Sequence, residues 1–236
     1  MIFDTYHTRE NFWDEMAFPN GDVRAHYQNI FKQLNSIELS VLNRKEEIAK
    51  KMFMDQGITF TVYSDDKEGI ERIFPFDIIP RIITGTEWNF IERGIEQRLK
   101  ALNLFLHDIY HEQKIIKDEI IPVNIIATCP HYNREVFGID VPYNIYVHIA
   151  GIDLVRDSDG TYYVLEDNLR TPSGVSYMME NREAMLRLFP ELFSEHRVAP
   201  VAHYPDLLLD TLRAMAPSSV NEPTAVVLTP GMHNSA

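Results

Sequence analysis

The chain has 236 residues, 45% of them hydrophobic, which is enough apolar material to bury a globular core. Its 35 acidic residues outnumber its 22 basic ones and give a formal net charge of −13, which argues against binding to a nucleic-acid backbone. The single cysteine, Cys129, excludes an intramolecular disulfide and a thiolate metal site, and we interpret it as a buried thiol in a reducing compartment.

The N-terminal sequence MIFDTYHTREN lacks the basic start, apolar core and cleavage site of an export signal, and no apolar run is long enough to span a bilayer. These features predict a cytoplasmic protein without a membrane partner. The sequence contains neither a tandem repeat nor a low-complexity tract, which disfavours a solenoid or a chain dominated by linkers.

Helical and strand patterns alternate along the first third of the chain. Apolar residues recur at helical spacing over 23–37, and a second helical pattern ends at Gly57. The segments ITFTVY at 58–63 and FDIIPRII at 76–83 are typical of strands. Because Pro80 lacks an N–H donor, the second segment suits an edge strand or a bend better than the centre of a sheet.

A long amphipathic helix follows, and we expect Thr86 to cap it. Its apolar side keeps helical spacing for six turns and is predicted to be buried. The residues of this side are Ile91, Ile95, Leu99, Leu102, Leu106 and Ile109. Three nearby arginines, Arg81, Arg93 and Arg98, could bind an anionic substrate, or they could be solvated or paired with neighbouring glutamates.

Residues 111–144 are charged at first and are then interrupted by three prolines, and we expect a short strand and a short helix there. The two histidines around this stretch, His131 and His148, have no partner at a ligand spacing. A lone histidine is more often a structural residue than a ligand, so neither is predicted to carry chemistry.

The most polar stretch of predicted sheet lies at 145–168. Asp159-Gly160 separates two alternating runs, which predicts a two-residue type I′ turn that pairs Ser158 with Thr161. Counting back in register sets three further pairs on one face of the sheet, namely Val155 with Val164, Asp153 with Glu166, and Gly151 with Asn168. By alternation the same face also carries Ile145, Val147, Ile149 and Tyr162.

Two carboxylates and an amide oxygen therefore converge on this face. Since like charges directly opposite each other repel, Asp153 and Glu166 need a positive group between them, and a divalent cation would supply it. Oxygen donors such as these and Asn168 suit Mg²⁺ or Mn²⁺ rather than zinc. The alternative is a solvated hairpin with scattered acidic residues, because charged side chains are mostly exposed.

Beyond the second strand the sequence continues with Arg170 and with Ser173 and Gly174, just before a helix predicted over 175–189. A Ser/Gly-rich loop at a helix N-terminus offers backbone N–H groups to an anion, but Ser173 or Ser176 could equally well be an ordinary N-cap. A further helix is predicted over 204–215. The segment TAVVLTPG at 224–231 is typical of a buried strand that leads into a glycine loop.

These motifs together resemble the circularly permuted ATP-grasp type 2 proteins, within the glutathionylspermidine synthase-like branch of ATP-grasp ligases. The resemblance covers essentially the whole chain and rests on several long motifs in the same order. They are DIIPRII at 77–83, EW at 87–88, RGIEQRLKALNLFLHDIY at 93–110, GIDLVRD at 151–157, VLEDNLRTPSGVSYMMENR at 164–182 and VVLTPGMHNSA at 226–236.

The resemblance implies an α/β (α+β) fold that is ATP-grasp-like, with a mixed or antiparallel sheet, packed helices and an incomplete C-terminus. Three parts are expected: an N-terminal helical and α/β part over 1–118, the metal-binding hairpin with its flanking helices over 119–216, and the first strand of a second half over 217–236. In the family that second half supplies much of the nucleotide pocket. The unfinished C-terminal edge could also promote self-association.

The chemistry implied by the resemblance is ATP-dependent ligation of a carboxylate to an amine through an acyl phosphate. Asp153, Glu166 and Asn168 would bind the Mg²⁺ that bridges the ATP phosphates. Arg156 or Arg170 would stabilise the transferring group, although Arg156 falls on the opposite strand parity from Asp153. The residues implied for positioning the acceptor carboxylate are Arg170, Ser173, Gly174 and Ser176.

One position departs from the family pattern. Glutathionylspermidine synthases carry an arginine two residues before the metal-binding aspartate, where this chain has Gly151, so their substrates are not carried over. We expect Gly151 to leave room for a ligand or metal near the backbone. The alternative functions are a nucleotide- or peptide-binding module without turnover, a part that is inactive without a second half, and a purely structural acidic domain.

Overall fold

The computed structural model describes residues 3–4, 6–64, 67–73, 75–170 and 172–229. In these ranges the helices are α1 (Gln28–Asn35), α2 (Leu39–Asp55), α3 (Gly85–Tyr110), α4 (Lys114–Lys117), α5 (Val123–Ala127), α6 (Val175–Leu188), α7 (Pro190–Glu195) and α8 (Tyr204–Ala214). The strands are β1 (Thr59–Ser64), β2 (Lys67–Ile73), β3 (Gly151–Arg156) and β4 (Tyr162–Asn168). The mixed α/β class is confirmed, and both described sheets are two-stranded and antiparallel, β1 with β2 and β3 with β4.

The segment predicted as a strand over 76–83 is not a strand, and β1 pairs instead with β2. Tyr27 explains how the backbone of this segment is satisfied without a ladder. Its hydroxyl donates to the Pro80 carbonyl oxygen at 3.1 Å and accepts from the Ile82 N–H at 2.8 Å. Because Pro80 has no N–H to offer a neighbouring strand, one buried tyrosine replaces the strand partner here.

The long helix begins two residues earlier than the sequence predicts. Thr84, not Thr86, is the N-cap, and it forms a capping box in which its hydroxyl oxygen accepts from the Glu87 N–H at 3.3 Å. The Glu87 carboxylate accepts in return from the Thr84 N–H at 2.9 Å. Of the predicted apolar side, Ile91 and Ile109 are buried and the residues between them are half-buried.

The chain divides into two compact units, the first formed by 1–82 with 173–236 and the second by 83–172. In the first unit α1, α2, α6 and α7 enclose the core, where Leu34, Phe53 and Phe189 are among the most deeply buried side chains. The boundaries predicted at 118 and 216 differ from this division. The three-part organisation stays a prediction.

The second unit has its core at the C-terminal end of α3. Ile109, Tyr110 and Ile126 are buried there. The Tyr110 ring stacks on the Tyr132 ring at 4.9 Å between centroids and on the Tyr146 ring at 5.9 Å. These contacts attach the irregular segment between α5 and β3 to the end of the long helix.

Two predictions for the stretch before β3 are wrong. The described residues 111–150 contain helices and turns but no strand, and the first strand of the hairpin begins at Gly151 rather than at Ile145. The Asn103 side-chain oxygen accepts from the N–H groups of Tyr146 at 2.7 Å and Val147 at 3.1 Å, so these donors are bound to α3 instead of a ladder. The thiol predicted to be buried, that of Cys129, is exposed.

The helices predicted over 175–189 and 204–215 are confirmed as α6 and α8. The buried strand predicted over 224–231 is wrong for its described residues, because 224–229 have no regular structure and Val226, Val227 and Leu228 are 77%, 86% and 95% exposed. Gly231 lies outside the described residues. Self-association through this segment stays a prediction, and no helix in the described ranges is long and apolar enough to cross a membrane.

Candidate functional site

The β3–β4 hairpin has the predicted register at its open end. Asp153 lies opposite Glu166, and Gly151 lies opposite Asn168. The turn is longer than predicted. The Asp157 N–H donates to the Thr161 carbonyl oxygen at 2.9 Å, which leaves a three-residue loop over 158–160 in place of the two-residue type I′ turn. Gly160 takes the left-handed conformation that such a loop requires, with φ of 86°.

A β-bulge on β4 compensates for the longer turn and returns the two strands to the predicted register. The ladder shifts between Asp153 and Leu154, so that Leu154 pairs with Val164 and Leu165 on β4 is left without an opposing residue. The predicted pairs Ser158 with Thr161 and Val155 with Val164 are therefore wrong, while both pairs beyond the bulge are right. The turn and the bulge each change the register by one residue, and the two changes cancel at Asp153.

The side chains of Asp153, Glu166 and Asn168 share one face of the hairpin. The side-chain amide of Asn168 donates to a carboxylate oxygen of Asp153 at 3.4 Å, and the directly opposed Asp153 and Glu166 project to the same side. Asp153 and Glu166 are exposed and Asn168 is half-buried. The predicted pairing of Asp153 with Glu166 on one face of the hairpin is confirmed.

This donor set fits a hard divalent cation. Two carboxylates and an amide oxygen are the ligands that Mg²⁺ prefers, and Mg²⁺ usually takes few protein ligands and completes its shell with water and phosphate. In the described ranges no three His, Cys, Asp or Glu side chains converge as a metal site would require. Metal binding by Asp153, Glu166 and Asn168 stays a prediction.

The opposite face of the hairpin is joined to α3 by two ion pairs. Arg156 contacts Glu87 at 2.6 Å between nitrogen and oxygen, and Arg98 contacts Asp167 with two hydrogen bonds of 2.7 and 2.6 Å. The two α3 residues lie eleven positions apart, so they share one face of the helix. These contacts fix which face of the hairpin packs and leave the face with Asp153 exposed.

The ion pairs change the acidity of both carboxyls. Burial raises the pKa of Glu87, but hydrogen bonds from Thr84 and from Arg156 outweigh it and hold the pKa below its ordinary value. The hydrogen bonds from Arg98 are the main reason that the pKa of Asp167 is lowered. Both carboxylates therefore stay charged well into the acidic range.

Arg156 lies on the packed face, as its parity predicts. Besides Glu87, it donates to the Gly160 carbonyl oxygen and to the Tyr162 hydroxyl, both at 3.0 Å, and its side chain is 9% exposed. Tyr162 pairs with Arg156 and Val164 pairs with Leu154, so both lie on the packed face. The prediction that they share a face with Glu166 is therefore wrong, because the bulge at Leu165 reverses the alternation. A role for Arg156 in phosphoryl transfer stays a prediction.

Gly151 does not leave the room that the sequence suggests. A Cβ atom at this position would lie 2.9 Å from the Pro172 Cβ and 3.6 Å from the Asn168 Cβ. The space beside the Gly151 backbone is therefore filled by Pro172. The glycine permits the segment after β4 to fold back closely against β3.

Arg170 lies two residues after the end of β4 and is exposed. Its guanidinium donates to the Nδ1 atom of His131 at 2.9 Å. A guanidinium only donates, so a hydrogen bond here requires Nδ1 to accept, as it does in the tautomer that carries its proton on Nε2. His131, which the sequence predicts to be without a chemical role, is thus in contact with one of the two candidate arginines.

The remaining predicted residues, Ser173, Gly174 and Ser176, belong to the first compact unit. Gly174 is the N-cap of α6, with φ of 93°, and no side chain forms a cap hydrogen bond there. The prediction that Ser173 or Ser176 caps this helix is therefore wrong. Carboxylate binding by these three residues stays a prediction.

Sequence reasoning missed Glu87 and Asp167, and it considered Arg98 only as an anion-binding, solvated or glutamate-paired residue, whereas Arg98 binds Asp167 and helps to orient the hairpin. Two signals could have found them. Asp167 has the opposite parity from Glu166 and so belongs to the other face, and the spacing of eleven between Glu87 and Arg98 marks one side of α3. The contact between His131 and Arg170 has no such signal, because it joins an irregular loop to the end of a strand.

Fold and site together define a mixed α/β protein whose antiparallel hairpin presents two carboxylates and an amide on one face and is followed, two residues later, by an exposed arginine. Residues 80–236 match the model of a family described as a circularly permuted ATP-grasp. That match covers more than half of the chain, so the chain belongs to the circularly permuted ATP-grasp family. Membership of the type 2 or glutathionylspermidine synthase-like branch stays a prediction.

Curated relatives extend the similarity across nearly the whole chain. An uncharacterized protein of Mycobacterium leprae is 46% identical over 238 residues, which cover 100% of this chain and 42% of that protein. An uncharacterized protein of Synechocystis is 46% identical over 226 residues, or 96% of this chain and 47% of that protein. The chain thus spans less than half the length of these relatives.

A third relative has a more specific name. A protein of Frankia alni, whose name proposes it as a glutamate–cysteine ligase, is 38% identical over 227 residues. These residues cover 95% of this chain and 26% of that protein.

Proposed function

We propose that the full-length protein is an ATP-dependent ligase that joins a carboxylate to an amine. The observation that carries this proposal is the convergence of Asp153, Glu166 and Asn168 on the exposed face of the hairpin, in a chain that belongs to the circularly permuted ATP-grasp family. Oxygen donors alone would fit several functions. Family membership supports a nucleotide phosphate as the partner of this face.

The proposed reaction has two steps. A carboxylate oxygen of the first substrate attacks the γ-phosphorus of ATP, which forms an acyl phosphate as the bond to ADP breaks. The nitrogen of the amine then attacks the acyl carbon, inorganic phosphate leaves, and the nitrogen loses a proton. The electrostatic difficulty lies in the first step, because an anionic carboxylate must approach a polyanionic phosphate.

In this proposal Asp153, Glu166 and Asn168 would hold Mg²⁺, with Mn²⁺ as an alternative of similar ligand preference. When bound, the ion neutralises charge on the phosphates and helps to align the transferring group. The three side chains bind and orient, and none of them needs to move a proton. The exposure of Asp153 and Glu166 leaves these carboxylates accessible to a ligand from solvent.

Arg170 is the better of the two candidate arginines for stabilising the transferring phosphoryl group. It is exposed and contacts a neutral histidine, whereas Arg156 is bound to the Glu87 carboxylate on the opposite face. A guanidinium that is already paired with a carboxylate attracts a second anion weakly. Arg170 keeps its full charge for an incoming carboxylate or phosphate.

The name of the Frankia relative suggests L-glutamate and L-cysteine as a first substrate pair to test. The decisive experiment incubates the full-length protein with ATP, Mg²⁺ and either this pair or pools of amino acids, peptides and polyamines, and uses mass spectrometry to detect amides and ADP. We expect ADP and an amide in equal amounts. ATP binding without ADP formation would instead indicate a nucleotide-binding module without turnover, and a failure to bind ATP would reject the proposal.

A further inference from the structure

The contact between Arg170 and His131 differs from the contacts of Arg98 and Arg156, the two ion-paired arginines of the second unit. Arg98 and Arg156 both bind carboxylates, which neutralise them. In the ranges that the structure describes, no carboxylate lies within ion-pair distance of Arg170, and the Nδ1 atom of His131 accepts from it at 2.9 Å. In a chain with a net charge of −13, an exposed arginine that is oriented by a neutral group is poised for an external anion.

The loop that carries His131 is held in place by its neighbours. The Tyr132 ring stacks on the Tyr110 ring at 4.9 Å with an interplanar angle of 8°, and the Tyr132 hydroxyl donates to the Ile109 carbonyl oxygen at 3.3 Å. The Asn133 N–H donates to the Tyr110 hydroxyl oxygen at 3.1 Å. His131 is therefore fixed to the C-terminal end of α3 through the two residues that follow it.

A polar hollow of about 640 Å³ is lined by residues 127–135, which include His131 and Arg134 but not Arg170. Ligand sites commonly have volumes of about 300–1,000 Å³, so the hollow can admit an amino-acid-sized molecule. The position of Arg170 two residues after Asn168 places it directly beyond the oxygen donors along the chain.

We propose that His131 is a positioning residue that holds the Arg170 guanidinium toward an anionic group of the substrates, a carboxylate or a phosphate. The neutral ring fixes one N–H of the guanidinium and leaves its charge and its other donors for that anion. This inference rests on the proposed ligase function. It assigns to the 127–135 loop a part in substrate recognition.

The test compares two substitutions at one position in the full-length protein. His131→Leu keeps the approximate volume and removes the acceptor, whereas His131→Asn places an amide oxygen near the former Nδ1 position. We expect His131→Leu to lower kcat/KM for ADP formation by about 10- to 100-fold, since small misplacements of a binding group cost up to about 100-fold. His131→Asn should recover activity to within about threefold, a rescue that loss of a purely structural histidine would not show.

A double-substitution cycle separates positioning from an independent effect. If His131 acts through Arg170, then His131→Leu combined with Arg170→Ala should be no worse than Arg170→Ala alone. Additive losses in the cycle would overturn the inference. His148→Leu is the matched control, because His148 is also an exposed histidine of the second unit, and we expect it to leave kcat/KM unchanged.

Two measurements identify which anion Arg170 binds. Calorimetric titration with Mg·ATP reports on a phosphate, and the KM of ADP formation for a mixture of the twenty standard amino acids reports on a carboxylate. A weaker calorimetric affinity in His131→Leu would assign the phosphate, and a higher KM at unchanged Mg·ATP affinity would assign the carboxylate. No change in either quantity or in kcat would overturn the inference.

The contact itself can be tested without any activity. In ¹⁵N-labelled protein, the His131 ring should show the neutral tautomer protonated at Nε2, and Arg170→Ala should shift its Nδ1 resonance. An unshifted resonance would show that the pair does not form. If the wild-type protein forms no ADP from Mg·ATP, both the proposed function and the kinetic role of His131 are rejected. If the wild type is active and His131→Leu is fully active too, only the role of His131 is rejected.

Discussion

Asp153 lies directly opposite Glu166 in the β3–β4 ladder, although the turn that joins these strands is one residue longer than the Asp-Gly signal predicts. The bulge at Leu165 makes up the difference. If either irregularity were absent, Glu166 would move to the packed face, because a shift of one residue reverses every side chain of a strand. The polar face of this hairpin therefore depends on two compensating departures from a regular ladder.

The first prediction concerns the oxygen donors. Glu166→Gln together with Asn168→Ala should lower Mg²⁺-dependent ADP formation by the full-length protein by about 100-fold or more, since about 1.4 kcal/mol of lost charge stabilisation costs a factor of ten. Steady-state kinetics would measure the loss. The unfolding free energy should change by less than about 1 kcal/mol, because both side chains lie on the unpacked face.

Glu92→Gln provides the control for that pair, since it makes the same chemical change at an exposed position on α3. It should leave ADP formation unchanged. Wild-type activity in the Glu166→Gln, Asn168→Ala protein would remove the metal-site assignment, whatever the activity of the control.

The second prediction concerns the ion pairs on the other face. Arg156→Leu should destabilise the protein by about 2–3 kcal/mol in urea unfolding, because it leaves the half-buried Glu87 carboxylate without its charged donor. Arg98→Ala should cost much less than Arg156→Leu, since Arg98 is 43% exposed and its ion pair is screened by solvent. Arg93→Ala, an exposed arginine on the same helix, is the control. Equal losses for Arg156→Leu and Arg98→Ala would contradict this ranking.

The third prediction is a pH dependence. The pKa of Glu87 is lower in the folded protein than its ordinary value of 4.5, so the folded state binds this proton less readily than the unfolded state. The stabilisation from Glu87 is therefore fully present above about pH 4.5 and is lost as the pH falls through the lower, folded-state pKa.

Urea unfolding of the wild type and of Glu87→Gln at several pH values measures this effect. The difference in unfolding free energy between the two proteins should shrink as the pH falls below 4.5. In an Arg156→Leu background the shrinkage should be smaller but not zero, because Thr84 continues to donate to the carboxylate. A difference that grows toward low pH would show that the sign is wrong.

The fourth prediction contrasts two glycines. Gly151→Ala should destabilise the protein by about 1–3 kcal/mol, because the new Cβ would lie 2.9 Å from the Pro172 Cβ and would force the segment after β4 to move. Gly94→Ala, within α3 and with open space around the added methyl group, should stabilise by about 0.5–1 kcal/mol. Thermal or urea unfolding distinguishes the two, and a neutral Gly151→Ala would show that Pro172 can move aside at little cost.

The local sequence determined the features that depend on periodicity and on neighbouring residues. The helical repeat located α2, α3, α6 and α8, and alternation with an Asp-Gly signal located the hairpin. The pairing of Asp153 with Glu166 was predicted by counting along a regular ladder from a two-residue turn, and it is right because the longer turn and the bulge cancel. The turn length and the bulge were not predicted, since both are compatible with the same sequence pattern.

Only the tertiary structure decided which contacts satisfy isolated polar groups. Tyr27 replaces a strand partner for 76–83, and Asn103 binds the backbone of 146–147, so neither segment becomes a strand. Likewise the pairing of Arg170 with His131 joins residues that are 39 positions apart. Local propensity carries no information about such distant partners, because they come together only when the chain packs into its tertiary structure.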